Sequence, residues 1–279
     1  MAYYREVLLP AIRTVTGAAL EVGWVTAHAA TYPLGLIRDR GDDLAPGLFT
    51  LTGMQPTQRG LLVADVEAAT TPIVLVHGIV DNRTIFARMR RGLRRRGFGC
   101  IRTFSYGPQT SDLRTTAERF GTFVDQLCDQ TGADRVHVIG HSMGGLIARY
   151  HVQLLAGHQR VDTLVTLGTP HGGTLAAHVL PHSLVRQLRP GSDVIVELEA
   201  PAPDCTTRFL VFSSDIDQVI VPSRHARMQH PDLDVTNVVV PGVGHLSLPI
   251  HSRIVHETCA ALARLELPVA PDLGVVTGP

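Results

Sequence analysis

The chain has 279 residues, of which 44% are hydrophobic and 18% are charged, and this length is enough to bury one large core. Its formal net charge is zero, which gives no reason to expect long-range attraction to nucleic acid, so we exclude nucleic acid as a partner. The four cysteines are far apart and lack the spacing of zinc ligands, so we predict no metal site.

The first 60 residues are predicted to form a helical segment followed by a linker. Apolar residues recur at helical spacing between positions 7 and 22, whereas 38–56 is rich in Gly, Pro and Asp. Charged residues interrupt the apolar stretch, so it matches neither a clean signal peptide nor a spanning helix. It either packs on the rest of the protein or makes peripheral contact with a membrane through residues such as Trp24. We therefore expect a cytoplasmic or peripheral membrane protein; no oligomeric state is predicted.

From position 61 onward, short apolar runs alternate with amphipathic segments. The apolar runs predict strands at 61–66, 73–76, 100–104, 136–139, 164–167, 209–212 and 238–240. The amphipathic segments predict helices at 83–96, 113–130, 143–155 and 251–265. Such alternation requires crossover connections, and therefore an α/β fold with a mostly parallel central sheet and helices on both faces. We assign this domain to 61–268, with a short helical lid region at about 174–207 and a loose tail over 269–279.

The stretch GHSMGG, which begins at Gly140, places Ser142 between a predicted strand and a predicted helix. This G-x-S-x-G pattern in a strand–turn–helix context is typical of a nucleophilic serine on a strained turn. Glycine two residues to either side removes a Cβ that would clash with neighbouring backbone. The following helix directs its first N–H groups toward the site, where they favour developing negative charge.

A serine hydroxyl needs a base, and the acid and then the base follow later in the chain in proteins of this kind. His245 follows an apolar run and two glycines, so it is predicted on a loop at a strand end and is our candidate base. Asp215 and Asp217 both follow the predicted strand 209–212. We favour Asp217 as the acid that orients the imidazole, and Asp215 stays as the alternative.

An oxyanion hole is expected from two backbone N–H groups. One is predicted at Met143, directly after the serine, and the other at Ile79, in the loop after the strand 73–76. Gly78 allows that loop to turn sharply. His77 is interpreted as a residue that holds the loop by a side-chain hydrogen bond rather than as the base.

Five stretches, IVLVHGIVDN, VHVIGHSMGGLIARY, LVTLGTPHGGT, SSDIDQVIVP and VPGVGHLSL, together resemble the lipase and esterase branch of the α/β-hydrolase superfamily. The likeness covers about 72–265 and is greatest to small bacterial triacylglycerol lipases. It implies the α/β-hydrolase fold, the triad Ser142, Asp217 and His245, and ester hydrolysis without a cofactor. Thr169 and Pro170 match the turn that shapes the acyl side of the site in those lipases.

We therefore expect a carboxylic ester hydrolase acting on an acyl-ester or lipid substrate. Five residues are predicted to bind that substrate: His77, Gly78, His141, Thr169 and Pro170. An acyltransferase or a thioesterase of the same fold is the alternative. A non-enzymatic binding protein of this fold is a further alternative, against which the intact set of catalytic residue types argues.

Overall fold

The computed structural model describes residues 66–79, 81–107, 110–179 and 182–263, together with the backbone of 275–276. The predicted N-terminal helical segment and its linker lie outside these ranges, and so does the predicted membrane contact. Of the predicted strand at 61–66, only Val66 is described, and it begins the short helix α1 (Val66–Thr70). Within the described ranges, no helix combines the length and apolarity needed to cross a membrane.

One sheet contains the seven strands of the described chain. These are β1 (Ile73–Val76), β2 (Ile101–Phe104), β3 (Val136–His141), β4 (Val161–Leu167), β5 (Arg208–Ser213), β6 (Asp234–Val239) and β7 (Val275–Val276). Their order is β2-β1-β3-β4-β5-β6-β7, and all neighbours are parallel except β6 and β7. The predicted α/β class with a mostly parallel sheet is confirmed. In the tail predicted to be loose, the backbone of β7 pairs antiparallel with β6.

The order of the strands reverses next to β1. The chain moves from β1 to β2 at the sheet edge and returns to β3 on the other side of β1. β1 and β3 pair in register, with Val76 opposite Gly140. In open parallel sheets a crevice forms at the carboxyl ends of the two strands where the order reverses. The residues that follow β1 and those that follow β3 therefore meet at one edge of the sheet.

Helices cover both faces of the sheet. One face carries α3 (Leu113–Thr131) and α4 (Met143–Leu154), and the other carries α2 (Ala87–Arg96) and α7 (Ser252–Leu262). Each face has its own apolar core, with Phe120 and Leu146 in the first and Leu93 and Ile254 in the second. The helices on both faces that the sequence predicts are therefore present.

The ends of α3 follow from its flanking residues. The side chain of Asp112 accepts a 2.9 Å hydrogen bond from the N–H of Thr115, which satisfies one of the first free donors of the helix. Gly132 ends the helix at a φ of 70°, a conformation that favours glycine. Between these signals, Leu113, Phe120 and other apolar residues at helical spacing are buried.

The predicted short helical lid region contains a 3-10 turn, Leu175–His178, and the helices α5 (Ser183–Arg186) and α6 (Asp193–Glu197). Part of this region belongs to the core, because Leu184, Val194 and Ile195 are buried in the same cluster as α3 and α4. Polar contacts attach it as well. The guanidinium of Arg149 donates to the carbonyl of Leu198 at 2.8 Å. The region is thus anchored on the domain, although some of its apolar side chains are exposed.

His151 of α4 is buried, and we expect the protein to lose stability at acidic pH because of this residue. Neither ring nitrogen has a hydrogen-bond partner among the described residues, and the ring packs edge-on against Phe120 at 5.5 Å between centroids. Burial lowers the pKa of His151 to about 4, although the charge of Asp125 opposes the shift. The unfolded chain therefore takes up a proton here below about pH 6.5, whereas the folded protein does so only near pH 4. Stability is lost as the pH falls through this window.

We expect His151→Phe to weaken this acid sensitivity. Between pH 7 and pH 5 the free energy of unfolding should fall by about 2 kcal/mol less in the variant than in the wild type. Some sensitivity should remain, because burial and the charge of Arg149 also lower the pKa of His171. Urea unfolding at both pH values measures the difference, and the same pH dependence in both proteins would contradict the role of His151.

Candidate active site

Ser142 stands between β3 and α4 in a conformation that few residues other than glycine adopt. Its φ is 53° and its ψ is −126°, a strain that costs about 1–3 kcal/mol. The N–H of Ser142 donates to the carbonyl of Leu167 at 2.9 Å. The carbonyl of Ser142 accepts a 3.0 Å hydrogen bond from the hydroxyl of Thr169. The strained turn is thus fixed against β4 and the turn that follows it.

Gly140 and Gly144 are required for space. A Cβ on Gly144 would lie 2.2 Å from the carbonyl oxygen of Val76, and one on Gly140 would lie 2.5 Å from the Cα of Gly145. Neither glycine is among the residues with a positive φ. The sequence predicts that a side chain on either side of Ser142 would clash with neighbouring backbone, and these distances agree with that prediction.

Gly144→Ala is expected to destabilise the protein by about 3 kcal/mol, because backbone of both β1 and α4 must move to admit the new methyl group. Gly107→Ala is the matched control, since a Cβ there would meet nothing within 4 Å, and its effect should stay within about 0.5 kcal/mol. Chemical denaturation of both variants measures the difference. Equal stability of the two variants would show that the turn is not sterically constrained at Gly144.

His245 and Asp217 form a buried pair at the carboxyl edge of the sheet. His245 lies in the turn after β6, and its Nδ1 is 2.7 Å from Oδ2 of Asp217, which follows β5. The other carboxylate oxygen of Asp217 accepts from the N–H groups of Val219 and Ile220 at 2.9 and 3.0 Å. These contacts fix the direction of the carboxylate and leave it facing the imidazole.

The electrostatics of Asp217 favour the ionised form. Burial alone would raise its pKa, but the charge and hydrogen bond of His245 and the two backbone N–H groups outweigh burial and lower the pKa of Asp217. A carboxylate in this state can orient and stabilise an imidazolium.

The alternative acid, Asp215, lies elsewhere in the same loop. Its side chain is exposed, and its Oδ1 accepts a 2.8 Å hydrogen bond from the N–H of Gly242. Asp215 therefore joins the turn after β5 to the turn after β6, while Asp217 is the residue paired with His245.

The end of β4 lies next to Ser142, Asp217 and His245. Ser142 is hydrogen-bonded to Leu167, and the next residue, Gly168, has a φ of 56°. A Cβ on Gly168 would lie 3.1 Å from both Oδ2 of Asp217 and Nδ1 of His245. The backbone of these two residues thus touches all three members of the predicted triad.

The two predicted oxyanion donors lie on the turns after β1 and β3. Met143 is the first residue of α4, so its N–H is one of those that a helix start leaves without a partner inside the helix. Ile79 follows Gly78, where a Cβ would lie 3.1 Å from the Cβ of Ser142. The backbone that leads to Ile79 therefore passes in contact with the serine.

The five residues predicted to bind substrate are all buried and contact the protein itself. Nδ1 of His77 lies 2.8 Å from the carbonyl of Gly78, and its ring stacks on Tyr106 at 4.5 Å. Tyr106 also donates its hydroxyl to the carbonyl of His77 at 2.6 Å, and burial followed by the charge of Asp81 raises the pKa of Tyr106 well above 10. His77 thus stabilises the turn that contains Gly78 and Ile79.

Asp81 is a residue at this site that the sequence does not reveal. Its Oδ2 is 2.8 Å from Nδ1 of His141, which directly precedes Ser142 in the chain. The two residues are 60 positions apart, and no spacing rule links an aspartate after one strand to a histidine at the end of another. The pair forms only because β1 and β3 are neighbours.

Taken together, these groups can perform nucleophilic catalysis. Acyl transfer needs a nucleophilic hydroxyl, a base and donors to the oxyanion. Here these are a hydroxyl on a strained turn, a histidine oriented by an ionised carboxylate, and two backbone N–H groups, one at a helix start and one in a turn.

Comparison with known proteins agrees with this description. A family model for the alpha/beta hydrolase fold matches residues 71–190. The sequence is 34% identical over 122 residues to a triacylglycerol lipase of Burkholderia plantarii, and 34% identical over 120 residues to one of Pseudarthrobacter phenanthrenivorans. The mature form of a Bacillus licheniformis lipase superposes with a TM-score of 0.59 at 16% identity, covering 70% of this chain and 92% of that one. The chain has the α/β-hydrolase fold.

The resemblance of this chain to lipases and esterases, predicted from five sequence stretches, is confirmed. The two sequence alignments each cover 40% of this chain, and they span 33% and 37% of the length of the two lipases. The family match includes Ile79, Ser142 and Met143 but ends before Asp217 and His245. The assignment of the acid and the base therefore depends on the geometry after β5 and β6.

Proposed function

We propose that this α/β-hydrolase is a serine hydrolase that cleaves carboxylic esters through an acyl-enzyme intermediate. The observation that carries the proposal is the 2.7 Å contact between His245 and the buried carboxylate of Asp217, at the edge where Ser142 has a φ of 53°. Two bacterial relatives named triacylglycerol lipase support the same reaction class. Ser142 is the proposed nucleophile, His245 the base and Asp217 the orienting acid.

In the first step, Oγ of Ser142 attacks the carbonyl carbon of the ester while Nε2 of His245 takes the hydroxyl proton. Because Nδ1–H of His245 donates to Asp217, Nε2 is the nitrogen that can accept this proton. The lowered pKa of Asp217 keeps its carboxylate ionised where His245 is neutral and able to act as a base. The resulting imidazolium is stabilised by that carboxylate.

The carbonyl oxygen becomes an oxyanion in this step, and the N–H groups of Ile79 and Met143 are the proposed donors to it. One such donor contributes about 3–4 kcal/mol to transition-state stabilisation. The C–O bond to the leaving alcohol then breaks, and His245 gives its proton to the alcohol oxygen. A water molecule attacks the acyl-enzyme in the same way, with His245 as base, and releases the acid and the free Ser142 hydroxyl.

Exposed apolar side chains support a substrate with an apolar acyl chain. Among the residues that the structure describes, five large hydrophobic side chains are between 40% and 80% exposed, and these five belong to the lid region or to the loop after Asp217: Leu175, Val179, Val196, Val219 and Val221. The N–H of Leu175 donates to the carbonyl of Val221 at 2.8 Å, which brings the two segments together. Val219 itself donates its N–H to Asp217. The apolar surface is therefore next to the proposed acid, and such surfaces are typical of ligand or lipid contact.

A panel of p-nitrophenyl esters from acetyl to palmitoyl, assayed on the wild type and on Ser142→Ala, tests the proposal. We expect hydrolysis by the wild type, a preference for chains longer than acetyl, and a loss of roughly 10⁵-fold or more in the variant. Hydrolysis that the substitution leaves intact, or none with any ester, would refute the proposed reaction. Adding an alcohol acceptor and an acyl thioester in parallel separates the hydrolase from the acyltransferase and thioesterase alternatives.

A further inference from the structure

Asp81 and His141 form a second buried histidine–aspartate pair beside the proposed triad, and the proposed mechanism gives them no step. His141 has no exposed surface, and Asp81 is 9% exposed. The ring of His141 lies 4.8 Å from the ring of His245 between centroids, at an interplanar angle of 45°. The pair is thus in direct contact with the proposed base.

In the hydrogen bond between His141 and the backbone of His245, the donor and the acceptor can be assigned. Nε2 of His141 is 3.2 Å from the carbonyl oxygen of His245, and Nδ1 is 2.8 Å from Oδ2 of Asp81. A carbonyl oxygen only accepts, so Nε2 of His141 carries a proton and donates it.

Asp81 contacts the turn that leads to the proposed oxyanion donor. A Cβ on Gly78 would lie 2.7 Å from Oδ2 of Asp81, so this carboxylate oxygen packs against the backbone of Gly78. The same oxygen is the partner of His141. One short chain of contacts therefore runs from Gly78, next to Ile79, through Asp81 and His141 to the main chain of His245.

We propose that Asp81 and His141 are positioning residues that hold the loop of His245 in register with the turn of Ile79, an inference that rests on the proposed function. Three turns, those after β1, β3 and β6, must place their groups to within a fraction of an ångström for acyl transfer. Hydrogen bonds within each turn cannot fix its distance from the others. The Asp81–His141 pair supplies that connection, because it joins all three: Asp81 follows β1, His141 ends β3, and the carbonyl of His245 follows β6.

The chain also offers a matched control at the opposite end of β3. His137 is buried, like His141, and its Nδ1 lies 3.5 Å from Oδ2 of Asp162. This second pair has the same residue types, and its histidine belongs to the same strand, but His137 lies near the amino end of β3, whereas Ser142 follows the carboxyl end. A substitution in this pair should lower the stability of the protein without changing the relative positions of the turns after β1, β3 and β6.

Two substitutions of His141 separate its two hydrogen bonds. The shorter side chain in His141→Asn can keep a donor to Asp81 but does not reach His245, whereas the longer one in His141→Gln can place an amide N–H near the position of Nε2. We expect His141→Asn to lower kcat by roughly 10- to 100-fold with little change in KM, because the base is misplaced while substrate binding is not. His141→Gln should recover most of that loss, and His137→Asn should keep the wild-type kcat.

Steady-state kinetics on one p-nitrophenyl ester, with urea unfolding of every variant, carry the test. Adding Asp81→Asn to His141→Asn should lower kcat no further than about 2-fold, since both act through the same contact with His245. Equal kcat for His141→Asn and His137→Asn, or equal loss in His141→Asn and His141→Gln, would overturn the positioning role. If His141→Asn unfolds, Asp81→Asn alone is compared with His137→Asn: a lower kcat in Asp81→Asn supports the positioning role, and equal kcat in the two variants overturns it. Ser142→Ala separates the two proposals: if it stays active, the ester hydrolase mechanism fails, whatever His141 does.

Discussion

Replacing Ser142 by alanine is expected to lower kcat on a p-nitrophenyl ester by roughly 10⁵- to 10⁶-fold, the scale seen when a catalytic serine is removed from a triad. The substitution deletes a single oxygen atom, and alanine bears the same cost of the positive φ that serine does. The turn, the pair of His245 with Asp217 and the backbone donors should all persist. The loss should therefore appear in kcat, with an unchanged urea unfolding curve.

The residual rate is informative as well. Backbone donors and substrate binding alone commonly leave an acceleration of about 10³ over water. A variant that retains more than a tenth of the wild-type kcat would contradict the role of Ser142, because the reaction would then proceed without its hydroxyl group.

Asp217→Asn is expected to lower kcat by roughly 10⁴-fold, since an amide in place of the carboxylate no longer holds the imidazole in the tautomer that has a basic Nε2. Asp215→Asn is the matched control, because it changes the same residue type two positions earlier in the same loop. Its side chain bonds the N–H of Gly242 rather than His245, and an asparagine oxygen can accept the same bond. We expect kcat within about 3-fold of the wild type for this variant.

Kinetics of the two variants measured at pH 8 make the comparison. A large loss of kcat for Asp215→Asn together with a small loss for Asp217→Asn would show that Asp215, and not Asp217, is the acid. A small loss for both would mean that His245 is oriented by some other group.

Much of the fold could be predicted because buried parallel strands are continuous apolar runs. For this reason the sequence predicts the strand 73–76 at its observed bounds, and all four of its residues are buried. It predicts β4 and β6 only in part. β4 starts at Val161 and includes Asp162 and Thr163, and β6 starts at Asp234, whose side chain is exposed. Polar residues at the start of a strand reduce the apolar signal, although main-chain pairing continues through them.

The candidate site was predictable as far as local chain geometry determines it. Gly140 and Gly144 mark the turn at Ser142 through backbone contacts that any sequence with this turn must satisfy. The sequence favours Asp217 but leaves Asp215 as the alternative, because both follow the same strand and the contacts that distinguish them, with His245 and with Gly242, depend on the tertiary structure. Asp81 could not be found at all, since its partner is a residue on a neighbouring strand.

Mass spectrometry of the protein quenched during turnover of a p-nitrophenyl ester shows whether Ser142 forms the acyl-enzyme. We expect one acyl group per chain on the peptide that contains Ser142, its accumulation in wild type, and its absence in Ser142→Ala. Ester turnover with an unmodified Ser142 peptide, or an acyl group on another residue that survives Ser142→Ala, would contradict this role of Ser142.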